Sequence, residues 1–434
     1  MYKEISKLII YVPEDESCLL SRLSKIFEDF ENNSSTVPSL IKEIYSCISS
    51  LLKTATDYGI NENLWHNYLS FYLITHENPF SITCEKTGAN NGSVNVFAKN
   101  DFKVFKSLFD YDFTKIEEAL DINCFSLISN YTSIEKKELM YNKNVSEKVV
   151  SLSKKLEEAS DENEFFDCVT NFYRDFGVGM FGLNKAFRIK EKDNYDIEFK
   201  AINNMDRVML DDLIGYEIQK KKLVDNTKAF VEGKKANNCL LFGDSGTGKS
   251  TSIKAIVNEF YPQGLRMIEI YKHQFKDLSN VIAKIKNRNY KFIIYMDDLS
   301  FEEFEIEYKF LKAVIEGGVE TRPDNILIYA TSNRRHLIKE TWKDNADMET
   351  EGGLHRSDTI EEKLSLVNRF GVTINYSKPS QKEYFNIVKE LAKKEGINMS
   401  DEQLCSEANK WELAHGGISG RTAQQLINHL SGLN

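Results

Sequence analysis

The stretch CLLFGDSGTGKSTSIKAI, from Cys239 to Ile256, joins an apolar run to an amphipathic one through a loop carrying three glycines and a lysine. Gly243, Asp244, Ser245, Gly246, Thr247, Gly248, Lys249 and Ser250 fit the spacing G-x-x-x-x-G-K-[ST], after a predicted strand and before a predicted helix. Glycines let such a loop turn tightly, so that successive N–H groups and the positive end of the helix face phosphate oxygens. Lys249 is then placed to reach the β and γ phosphates of a nucleotide, and the Ser250 hydroxyl to ligate Mg²⁺. A strand, a loop and a helix in that order also demand neighbours of the same kind, because a parallel strand has to be covered on both faces.

The neighbours are present. CLLF (Cys239 to Phe242), RMIEI (Arg266 to Ile270), KFIIYM (Lys291 to Met296), ILIYAT (Ile326 to Thr331) and VTINY (Val372 to Tyr376) are short apolar runs separated by helical patterns. That alternation predicts an α/β domain with a doubly wound, five-stranded parallel sheet over residues 206–378. After Pro379 the strands stop. Three amphipathic stretches follow, beginning at Ser380, Ser400 and Ser419, each suited to capping a helix, and they predict a small helical lid over 379–434.

Polar residues gather at the ends of the predicted strands. KFIIYM delivers Asp297 and Asp298 to the carboxyl edge of the sheet, where ligands of open α/β folds bind. Asp297 is the natural Mg²⁺ partner, and Asp298 is suited to orient or deprotonate an attacking water. ILIYAT leads to Asn333, whose amide either holds that water or closes a turn. Arg369 precedes Gly371 at the end of a helix-like stretch, where a guanidinium either neutralises charge on a transferring phosphoryl group or decorates a helix C-terminus. Arg421 stands in the first turn of the last predicted helix. A cation gains nothing from the helix dipole there, so it either meets an anionic partner or serves local packing or solvent exposure.

Residues 1–175 carry apolar side chains three and four apart, in SRLSKIFEDF, PSLIKEIYSCISSLLKTA and VSEKVVSLSKKLEEAS, and predict a mainly helical domain. The Gly/Asn-rich segment Thr83 to Val96 breaks that rhythm and predicts a loop or hairpin tip, and residues 176–205 a linker. A formal charge of -10 argues against a uniform polyanion-binding surface, while a local basic groove stays open. Seven scattered cysteines without a C-x-x-C pair predict reduced thiols rather than a zinc site. With no signal peptide and no run approaching about 18 apolar residues, the expected location is the cytoplasm.

Phosphate loop, paired acids, asparagine strand, arginine before glycine and arginine-led final helix occur in the order found in AAA+ ATPases, and the sequence resembles that superfamily. It is most similar to an uncharacterised bacterial AAA+ family filed as a domain of unknown function, through DDLIGYEIQKKKLVDNTKAFVEGKKANNCLLFGDSGTGKS, DDLSFE, EGGVETRPDNILIYATSNRRHLI, EEKLSLVNRFG and GISGRTAQQLI. The resemblance covers most of the chain from about Phe176 onward. It implies ATP and Mg²⁺ as ligands. Ile214, Gly215 and Tyr216 would cradle adenine, Gly243 to Ser250 with Thr251 would form the Walker A loop, and Asp297 and Asp298 the Walker B pair. Asn333 would be sensor 1, Arg421 sensor 2, and Arg369 an arginine finger reaching a neighbouring subunit, with Arg356 as the second candidate. An oligomeric ring and hydrolysis coupled to remodelling of a macromolecular client, met through the N-terminal domain, follow from the same resemblance. A slow ATP-dependent assembly switch and a DNA-associated loader are the alternatives. One position departs from the pattern: most AAA+ enzymes carry Asp-Glu where this chain has Asp297-Asp298, which leaves a gap of about one methylene and makes Glu302 a candidate assistant. Arg334, Arg335 and His336 follow the sensor position, and His355 lies near Arg356 in the acidic stretch beyond it.

Overall fold

A computed structural model describes residues 1–13, 15–133, 143–192, 196–203, 205–301, 307–316, 323–333 and 366–432. They form two compact units, Met1–Asn184 and Lys185–Asn434.

The first unit is helical, as its periodicity predicts. Leu19–Asn32 and Val37–Tyr58 bury Leu23, Phe27, Ile44 and Leu51 along one side, while Glu162–Phe176 buries Phe165, Val169 and Tyr173. The Gly/Asn tip is shorter than expected: Pro79–Thr87 is helical, because Asn78 and Ser81 close a reciprocal capping box and Pro79 presets the first turn. Aromatic rings dominate the core, and their polar atoms are bonded. Trp65 Nε1 donates to Leu108 O at 2.8 Å, and the Tyr11 and Tyr173 hydroxyls meet at 2.9 Å. Asp101, fully buried, accepts from the backbone N–H groups of Ile9, Ile10 and Tyr11 at 2.7–3.1 Å and pins the first dozen residues to the core.

The second unit contains a seven-stranded sheet rather than the expected five-stranded one. The five predicted runs are β3 (Cys239–Gly243), β4 (Leu265–Glu269), β5 (Lys291–Met296), β6 (Ile326–Ser332) and β7 (Val372–Tyr376). The additional strands, β1 (Ala186–Glu191) and β2 (Ile197–Ala201), form an antiparallel hairpin within the stretch expected to be a linker. The spatial order is β2-β1-β4-β5-β6-β3-β7, with every pairing outside the hairpin parallel. β6 is buried along its whole length and lies between β3 and β5. The three segments that leave these strands at their carboxyl ends, Asp244 onward, Asp297 onward and Asn333 onward, therefore start side by side.

Three helices follow β7: Gln381–Lys394, Asp401–Ala414 and Gly420–Ser431. Their N-caps are Ser380, Ser400 and Ser419, each closing a capping box. Tyr384, Ile387, Leu404, Leu426 and Ile427 form their common core, with Ile214 packed against it from the segment before the sheet. Among the described residues, no helix is long and apolar enough to cross a membrane.

Asp101→Ala leaves three backbone donors without their acceptor. The expected loss is about 3 kcal/mol of stability in the first unit, read by urea unfolding, together with faster amide exchange at Ile9, Ile10 and Tyr11.

Candidate functional site

At the carboxyl edge of the sheet lies a cavity of about 880 Å³. Ser245, Gly246, Thr247, Gly248, Lys249, Ser250 and Thr251 line it from the loop after β3, Asp297 and Asp298 from the end of β5, Thr331 and Asn333 from the end of β6, and Arg421 from the last helix. Ile214 and Tyr216 line its other end, opposite Ile387, Leu391 and Lys394. Gly215, Gly243 and Asp244 lie just outside this lining.

Two glycines make the loop possible. Gly248 has φ +90° and Gly246 φ +75°, both in the left-handed region that side chains resist. A Cβ on Gly246 would also sit 3.1 Å from Arg421 Cβ and from Ser419 Oγ, because the start of the last helix rests on the loop. That contact is bonded: the Arg421 N–H donates to Gly246 O at 3.1 Å. Asp244 faces the other way, its carboxylate accepting the Lys378 N–H at 2.8 Å where the chain leaves β7.

Lys249 is 6% exposed and donates to Gly243 O, Asp244 O and Asn333 Oδ1 at 2.7–3.0 Å. All three acceptors are neutral, so its charge stays uncompensated by any direct ion pair. Burial lowers its pKa from the usual lysine value, against the pull of Asp244, Asp298 and Asp297. Asn333 continues the chain, donating through Nδ2 to Asp298 Oδ1 at 2.8 Å.

Asp297 Oδ1 accepts from Ser250 Oγ at 2.8 Å and from Thr331 Oγ1 at 2.6 Å. Its enclosure pushes the carboxyl pKa up, but the hydroxyls around it, Thr331 first, then Tyr295 and Ser250, outweigh that and hold it below the usual carboxylate value. The Thr331 oxygen also accepts the Asp298 N–H at 2.9 Å, so one hydroxyl fixes both acids. Asp298 itself has φ +50°. Asp and Asn occupy that region far more readily than longer side chains, which gives a local reason for a second aspartate where the AAA+ pattern has glutamate.

Of the three residues expected to cradle adenine, two have left-handed backbone, Gly215 at φ +81° and Tyr216 at φ +58°. The Tyr216 hydroxyl donates to Ser377 O at 3.0 Å, and its ring meets Tyr376 at 5.2 Å between centroids. Lys394 of the lid pairs with Asp212 at 3.1 Å and donates to Asp211 O at 3.0 Å, spanning that end of the cavity.

Arg369 is not part of the cavity lining. It precedes β7 at Val372, which pairs with Cys239 at the start of β3, whereas the loop leaves β3 at Gly243 beside Tyr376. The two ends are roughly 15 Å apart along the strands. Glu302, Arg334, Arg335, His336, His355 and Arg356 lie outside the described residues. The sequence reading missed Thr331, Asp212 and Lys394. Thr331 was visible only as a hydroxyl two positions before Asn333 on one strand face.

No curated protein matches the chain. The model of a family described as "Protein of unknown function (DUF815)" matches residues 183–434. The chain belongs to the DUF815 family. Among solved structures it is similar to a Thermotoga maritima RuvB mutant, at 18% identity and a TM-score of 0.36, covering 51% of this chain and 64% of that one. It is also similar to the Thermotoga maritima RuvB Holliday junction branch migration motor, at 15% identity and a TM-score of 0.32, covering 52% and 71%. The chain thus spans less than two thirds of the first of these. With the phosphate loop after the second-last strand of the sheet order and a helical lid following β7, this DUF815 member has the α/β P-loop fold with a helical lid that the sequence predicts.

Because the Asp297 pKa is lowered, its ionised form contributes stability above the ordinary value of 3.8, and that contribution is lost as pH falls through the folded value. Thr331→Val removes the leading hydrogen bond and strips the Asp298 N–H of its acceptor. The variant is expected to lose about 1–3 kcal/mol at neutral pH, and its stability to fall less steeply on acidification than that of the wild type. Melting curves across pH, with carboxyl carbon NMR of the aspartates, check both.

Proposed function

We propose that this DUF815 protein binds and hydrolyses ATP with Mg²⁺. The observation that carries the reading is the convergence of Lys249, Ser250, Asp297, Asp298, Asn333 and Arg421 on one cavity. The cavity fits the triphosphate in its charge: a buried lysine bonded only to neutral oxygens, with Arg421 beside it, seeks an anion. It also fits Mg²⁺, which is usually held by one or two protein oxygens together with substrate phosphates and waters. Ser250 Oγ and Asp297 supply those oxygens already paired. Mg²⁺ held there would neutralise charge on the β and γ phosphates.

The chain's own groups then divide the work. The loop N–H groups and Lys249 hold phosphate oxygens, and Lys249 exchanges its bond to Asn333 for one to the ligand. Asn333 is thereby free to bind the phosphate end or a water, while Asp298 orients that water and takes its proton. Arg421, bonded through its backbone to Gly246, brings the lid onto the same phosphates. Adenine stacks between Ile214 and Tyr216 on one side and Ile387 and Leu391 on the other.

Arg369 is read as a finger that acts on a neighbouring copy, in a ring or another homo-oligomer, since its own cavity lies at the opposite end of the strands. The helical first unit, residues 1–184, is read as the part that meets a macromolecular client, which the nucleotide cycle remodels. The Asn333–Asp298 bond favours one second reading, a switch that turns over slowly and signals by assembling, because the acid starts out engaged.

Phosphate release by the full chain is expected with ATP and Mg²⁺, rising faster than linearly with protein concentration, and Lys249→Ala should reduce it at least a hundredfold. Absence of release at any concentration would sink the reading. Lys249→Ala mixed with Arg369→Ala should recover activity that neither shows alone, since one supplies the finger and the other the loop. No recovery would place the finger elsewhere. Asp298→Asn separates the two cycles: a remodelling enzyme loses function with it, whereas a switch keeps function.

A further inference from the structure

One buried polar group beside this cavity has no bond and no role so far. Tyr295, on β5, is 1% exposed, and its hydroxyl has no hydrogen-bond partner among the described residues. A buried phenol is normally satisfied. The other fully buried tyrosines follow that rule: Tyr11 bonds Tyr173, Tyr173 donates to Leu73 O, Tyr329 meets Thr227 and Asn226, Tyr376 donates to Ser252, and Tyr384 reaches Ala408 O. Tyr295 alone among them stands under charged machinery.

Its position follows from strand geometry. Residues two apart on a strand share a face, so Tyr295 lies directly before Asp297, packed in the core with Ile253 and Ile256 of the phosphate-loop helix. Its hydroxyl stands beside Asp297, Ser250 and Thr331, close enough to help hold the Asp297 pKa down, yet makes a hydrogen bond of full geometry to none of them. Both donors that Asp297 does have converge on Oδ1.

We propose that Tyr295 is a positioning residue for the metal-holding carboxylate: its hydroxyl donates to Asp297 in the Mg²⁺-nucleotide state and is unbonded in the nucleotide-free state. This rests on the nucleotide-and-Mg²⁺ reading of the cavity. Near-octahedral coordination is exacting, and it requires Ser250 and Asp297 to leave the geometry of their present bond. A reserve donor beneath the carboxylate keeps it oriented when that happens. The hydroxyl is unsatisfied in one state and bonded to a charged group in the other, so it favours the second state alone. The consequence is a coupling of nucleotide affinity to Mg²⁺ that the loop by itself does not supply.

The test is ADP binding by calorimetry to the full chain, in MgCl₂ and in EDTA, for wild type and Tyr295→Phe. The variant should bind ADP in EDTA as the wild type does, while its gain in affinity from Mg²⁺ shrinks by about tenfold, the size of one hydrogen bond to a charged group. Its melting temperature without nucleotide should be unchanged or higher, because the hydroxyl removed was unsatisfied. An undiminished Mg²⁺ gain overturns the proposal. So does an equal loss of affinity in both buffers, or a lower nucleotide-free melting temperature, since either marks a packing role. A wild type that binds ADP equally in MgCl₂ and EDTA overturns the metal reading itself, an outcome visible before the variant is compared.

Discussion

Placement of β6 between β3 and β5 is the constraint on which the site depends. These strands are far apart in sequence, and only their parallel hydrogen bonding brings the phosphate loop, the paired acids and Asn333 to one edge. Crossover helices then have to cover both faces, so the same pairing that builds the core also exposes the strand ends. Within that edge Thr331 does the close alignment. Its oxygen accepts from the backbone of Asp298 and its proton goes to Asp297, so both acids are set by a residue near the end of a wholly buried strand.

Charge in the cavity is balanced by design of reach rather than by ion pairs. Lys249 rests on two loop carbonyls and an amide, and the two aspartates are held by hydroxyls and an amide. Among the described residues, no opposite charges are locked together at the phosphate-loop end; the Lys394–Asp212 pair stands at the other end of the cavity. A ligand carrying both a phosphate chain and a cation therefore meets groups that can rebond without breaking a buried salt bridge, a step that costs several kcal/mol.

Much of this was legible in the sequence, for physical reasons. Strands β3 to β6 are largely buried on both faces and read as apolar runs, the edge strand β7 alternates buried and exposed residues, and the observed limits of all five differ from the reading by a residue or so. The capping serines of the lid were legible because their hydroxyls bond locally. The hairpin β1–β2 was not. AFRIKE and IEFKA alternate buried and exposed residues at a sheet edge, and a charged passage separates them, so they look like linker. Thr331 and Tyr295 were hidden for the opposite reason: a hydroxyl in an apolar strand reads as β-propensity, and only packing shows where it points. Asp212 and Lys394 pair across 182 residues, a distance that no local pattern encodes.

The bond from the Arg421 backbone to Gly246 O has a mechanical side. The last helix is anchored by its first turn to the tip of the phosphate loop, and from there it extends about 18 Å through the lid. Its fixed end is therefore the phosphate loop. Whatever displaces the loop tip is felt first at this turn, and the helix it opens shares one apolar core, through Leu426 and Ile427, with the other two helices of the lid.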